Sequence, residues 1–99
     1  MVSSKDILLV KFLAEETEAG RMKWEFTANE DQFVTAVKGK YKLMVMKLGN
    51  YFLRMLDKDD KVLLSISSNE YAPVEELFES VRRVALNVDE AIDDILGGG

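Results

Sequence analysis

The chain contains no histidine and no cysteine in 99 residues. Without histidine, the usual general acid/base near neutral pH and the commonest metal ligand are missing. Without cysteine there is no thiolate nucleophile, no soft metal ligand and no disulfide. Cys/His zinc sites, Ser/His and Cys/His catalysis and disulfide scaffolds are therefore excluded. Long hydrophobic runs are also lacking. The longest, such as Ile7–Val10 and Leu43–Met46, fall far short of a membrane span. Asp6 stands where a signal peptide would have its apolar stretch, so the expected compartment is the cytoplasm.

What is present reads as one folded unit. Hydrophobic content is 47% and charged content 31%, a globular balance. The expectation is a single α+β domain over residues 1–96, followed by a flexible glycine tail at 97–99. The net charge of −5 is unevenly placed. The first 74 residues carry eleven charges of each sign. The segment Glu75–Asp94 adds Glu75, Glu76, Glu79, Asp89, Glu90, Asp93 and Asp94 against Arg82 and Arg83 alone. Between Gln32 and Leu56 lie Lys38, Lys40, Lys42, Lys47 and Arg54 with no acid. A basic middle thus precedes an acidic end.

Hydrophobic spacing divides the chain. Ser3 or Ser4 can cap a first helix, with Asp6 in its first turn. Ile7, Leu8, Val10, Phe12, Leu13 and Ala14 give that helix a broad apolar face, and Gly20 can stop it. The period then changes to two. Met22, Trp24 and Phe26 alternate with polar residues as a half-buried strand. Phe33–Lys38, Tyr41–Leu48, Tyr51–Leu56 and Val62–Ser67 complete a five-stranded antiparallel β-meander, with Gly39, Gly49-Asn50 and Asp57–Lys61 at the reversals. Pro73 fits the first turn of a C-terminal amphipathic helix. Its stripe is Val74, Val81, Val88 and Ile95, flanked by Leu77, Val84 and Ala91 and by Phe78, Ala85 and Ile92. Such a stripe suits a helix lying on a sheet. Asn87 followed by Glu90 is a capping-box-like pair, so the helix can bend near Asn87.

Candidate chemistry is thin. Asp57-Lys58-Asp59-Asp60 lacks the Gly and Glu that a calcium loop needs, since Val62 and Ser68 stand at those positions. It reads as a charged hairpin turn. Glu75/Glu79 and Asp89/Asp93 are i,i+4 carboxylate pairs able in principle to hold magnesium, but no further ligand or nucleophile accompanies them, so a solvated helix face is expected. Trp24 reads as core. The terminal glycines resemble those of ubiquitin-like modifiers only in composition, because those proteins have a ββαβ core. No catalytic residue, cofactor or metal is expected.

Alternation leaves both faces of the central strands apolar. One carries Leu43, Val45, Leu53, Met55, Val62, Leu64 and Ile66. The other carries Met44, Met46, Leu48, Phe52, Leu56 and Leu63. Either the helices split to cover both faces, or the methionine face meets a partner, a use that flexible methionines suit. The second reading is favoured.

The stretch Leu77-Phe78-Glu79-Ser80-Val81-Arg82-Arg83-Val84-Ala85-Leu86-Asn87-Val88-Asp89-Glu90-Ala91-Ile92-Asp93-Asp94-Ile95-Leu96 resembles the ending of small uncharacterised prokaryotic α+β proteins. Those also share an early helix end running into a strand like Lys23-Trp24-Glu25. The resemblance covers most of the chain and implies no activity. The helix–meander–helix order and acidic balance also resemble two further groups. One is phage-encoded inhibitors that present acids to nucleic-acid-handling enzymes. The other is acidic secretion chaperones, which dimerise and bind effector segments but interrupt their sheet with a helix, as this chain does not.

The functional expectation is a non-catalytic protein-interaction module, a homodimeric prokaryotic or phage regulator using Met44, Met46, Phe52, Leu56 and Leu63. The first alternative is an acidic inhibitor whose Asp89, Glu90, Asp93 and Asp94 stand in for phosphates. The second is nucleic-acid binding through the basic central strands, disfavoured because alternation separates Lys42 from Lys47.

Overall fold

The computed structural model describes residues 2–97 and has the expected α+β order. Helix α1 (Ser4–Glu18) precedes strands β1 (Glu25–Phe26), β2 (Gln32–Val37), β3 (Tyr41–Leu48), β4 (Asn50–Leu56) and β5 (Val62–Ser67). Helices α2 (Pro73–Ala85) and α3 (Val88–Leu96) follow. The sheet is a meander in sequence order, every pair antiparallel.

The caps are local chemistry. The Ser3 hydroxyl accepts from the Asp6 amide at 3.2 Å, while the Asp6 carboxylate accepts from the Ser3 amide at 3.0 Å. This reciprocal box satisfies two helix-end donors at once. At the other end α1 stops at Ala19, and Gly20 takes φ 76°. Lys38 and Gly39 both have positive φ (57° and 66°), and the Lys40 amide donates to the Val37 carbonyl. That is the type I′ geometry that matches strand twist. Asp57 closes the last hairpin by accepting from the Asp59 and Lys61 amides, both at 2.9 Å. The charged-turn reading of Asp57–Asp60 therefore holds.

The first strand is shorter than its alternation suggests. Only Glu25 and Phe26 pair, Trp24 is buried ahead of them, and Phe26 is 63% exposed. An edge strand paired on one side has little to hold its outer residues.

Register builds a covered face. Phe26, Phe33, Val45, Leu53 and Ile66 lie opposite one another in turn, forming one row across all five strands. Helix α2 packs on this face, and α1 packs beside α2 and reaches the same core through Val10 and Leu13. Val74, Leu77, Phe78 and Val81 of α2 and Val10 and Leu13 of α1 complete the core. Phe78 is wedged between Phe33 and Tyr51, with ring centroids at 5.9 and 5.2 Å. Trp24 closes the corner, its indole N–H donating to the buried Thr17 hydroxyl at 3.0 Å.

Two expectations fail here. A register shift at Met55/Leu56 sets Val62 opposite Leu56, so Val62 leaves the covered face and is half exposed. The C-terminal stripe also does not lie on the sheet as one piece. Asn87 adopts the left-handed conformation (φ 53°, ψ 44°) without a side-chain capping bond. The bend near Asn87 is there, but the capping box is not. Beyond it α3 packs against the end of α2, with no comparable contact to the sheet, and buries none of its residues. Of the expected glycine tail, Gly97 closes α3 by donating to the Asp93 carbonyl at 2.8 Å. Residues 98 and 99 lie outside the described ones.

Candidate interaction surface

The second face of the sheet is open. Its rows follow from register: Val34–Met44–Arg54–Ser65, Gln32–Met46–Phe52–Ser67 and Ala36–Lys42–Leu56–Val62. None of these residues joins the core cluster. Val34, Met44, Met46, Phe52 and Arg54 are all half-buried by one another, with no helix above them. Of the five residues expected to meet a partner, four fit this picture. Met44, Met46 and Phe52 lie together on the face. Leu63, skipped by the β-bulge and so without a cross-strand partner, is exposed beside them. Leu56 departs from expectation. It is only 8% exposed and forms the floor of the face.

Arg54 is the residue that matters most here and that a charge count conceals. Strand alternation puts it amid Met44, Phe52 and Leu56. Its guanidinium lies over the Phe52 ring, 5.8 Å from the centroid. Among the described residues it has no carboxylate partner, whereas Lys42 on the same face is paired with Asp60 at 3.0 Å. Covering this face with an apolar surface would strip water from a cation, which is costly unless an acid arrives with the cover.

The five basic residues of the middle do not gather. Lys38 and Lys40 are in a turn, Lys47 sits over the Tyr51 ring towards the covered face, and only Lys42 and Arg54 share the open one. The acidic residues do gather. Asp89, Glu90, Asp93 and Asp94 all fall on α3, and Asp89 is held by Arg83. Among the described residues no three acids are placed to hold a metal ion. A cleft of about 440 Å³ beside β1 and β2 is edged by Arg21, Lys23, Glu25 and Lys38, with no paired carboxylates or activated nucleophile.

The chain matches no protein-family model, no curated protein and no solved structure. Its own geometry therefore carries the functional argument. No helix among the described residues is long and apolar enough to cross a membrane.

Proposed function

We propose that this protein is a non-catalytic interaction module whose working surface is the open face of its sheet, occupied by a second copy of the chain. The observation that supports this is one-sidedness. The core side chains of α1 and α2 meet the same face, while Val34, Met44, Met46 and Phe52 form a contiguous apolar patch on the other. Monomeric proteins rarely leave such a patch to water, and methionines adapt readily to a docked surface.

Light scattering after gel filtration tests the reading. The chain is expected to run as a dimer of the 11.2 kDa protomer. Met46→Lys places a further charge on the face and is expected to weaken association at least tenfold, equivalent to about 1.4 kcal/mol. A monomer at every concentration, with no binding of hydrophobic dye, overturns the proposal.

A further inference from the structure

We infer that the element seated on the open face is α3 of the second copy, exchanged reciprocally between two chains. The inference rests on the open-face reading above and names what fills it.

Three observations converge. First, α3 is an amphipathic helix that packs against the end of α2 and buries none of its residues. At about 3.6 residues per turn, Val88, Ala91, Ile92, Ile95 and Leu96 share one side and Asp89, Glu90, Asp93 and Asp94 the other. Ile95 and Leu96 are 78% and 79% exposed. Second, the open face is largely apolar, and near its middle Arg54 rests on the Phe52 ring with no carboxylate partner among the described residues. A face-to-face pairing of two sheets would bury two Arg54 guanidiniums and bring no acid from either apolar centre. An α3 helix brings apolar contact and carboxylates together. Asp89 and Asp94 border its apolar side; Asp89 is already paired with Arg83, and Asp94 can reach a guanidinium beside it. Charge-assisted pairing of that kind offsets the desolvation that Arg54 would otherwise suffer.

Third, α3 does not cover its own sheet. It leaves the end of α2, which lies on the covered side. Its nine residues span only about 14 Å at 1.5 Å per residue. Within its own chain it stays beside α2 and makes no comparable contact with the sheet. A second copy is not held to that place. The left-handed Asn87 separates α3 from α2, and α3 contributes no residue to the core.

The test uses charge exchange in the full chain. Arg54→Glu sets a carboxylate on the sheet against the acids of a docked α3, and Asp94→Lys sets an ammonium group against Arg54. Each alone is expected to dimerise at least tenfold more weakly than the parent. Mixed, the altered sheet and the altered helix become complementary, and a heterodimer should return. A mixture that stays monomeric, or an Arg54→Glu chain that dimerises normally, overturns the assignment of α3.

Cross-linking separates that failure from failure of the open face itself. The parent has no cysteine, so single-cysteine chains report one contact each. Met44→Cys mixed with Ile92→Cys is expected to give the mixed disulfide as the main product. Self-linked Met44→Cys would keep the open face as the interface but remove α3 from it. Self-linked Ile92→Cys would also remove it, replacing the exchange by paired helices. No cross-link, with a monomeric mass for the parent, overturns both readings.

Discussion

Thr17 is fully buried on α1, and its hydroxyl is the acceptor for the chain's one tryptophan. Thr17→Val keeps the shape and removes the acceptor. The indole N–H is then buried without a partner, which costs about 1–3 kcal/mol. Urea denaturation should show that loss. In the Thr17→Val/Trp24→Phe pair the orphaned donor is gone, so the combined cost should be smaller than the sum of the single costs. A second residue-scale prediction concerns Lys38, a lysine at φ 57° in a type I′ turn. Asparagine tolerates that conformation better, so Lys38→Asn should raise stability by about 0.5–1 kcal/mol in the same assay. Trp24 was legible as core from the alternation of Met22, Trp24 and Phe26, although it lies just ahead of β1. Thr17 was not, because nothing local in a helical threonine announces a partner seven residues away. Arg54 could have been found: alternation already puts it on the face of Met44 and Phe52, but counting it with the neighbouring lysines hid the contrast.

At the scale of elements, one apolar stripe became two helices with different fates. In α2 the sequence signals agree with packing. Pro73 opens it, Glu75 and Glu76 occupy its first turn, Arg82 and Arg83 its last, and Phe78 fills the gap between Phe33 and Tyr51. Phe78→Ala should therefore cost about 3–5 kcal/mol, measured by urea or thermal unfolding. In α3 the same seven-residue spacing continues, yet the helix has no sheet beneath it. Spacing records which side of a helix is apolar. It does not record what that side meets, and one left-handed residue is enough to redirect everything after it. A nine-residue helix with so little tertiary contact is marginal by itself. Amide exchange at concentrations too low for association should show α3 exchanging much faster than α2. The bulge in β5 escaped sequence reading for a related reason. Val62, Leu63 and Leu64 are all apolar, so no polar residue marks where the alternation slips.

The whole molecule is a sheet with a core on one side and none on the other. The meander order was readable because each reversal carries its own chemistry, although Asn50, read as a turn residue, belongs to β4 and pairs with Leu48, and the two-sided apolar pattern already showed that one face could lack a cover. Whether both helices would take the same face was not readable, since either face could have accepted α1. The answer constrains assembly. A contact between α3 of one copy and the sheet of another joins two different surfaces, and such a contact can propagate into an open chain. It closes only if the second copy returns its own α3 to the first, which a two-fold axis between them achieves. Reciprocal closure predicts that the mass measured by light scattering rises to twice 11.2 kDa and stays there as concentration increases. It also predicts that ending the chain after Leu86 removes both contacts at once and leaves a monomer with its core intact, since α3 contributes no residue to that core. A mass that keeps climbing with concentration would mean that the exchange is one-way.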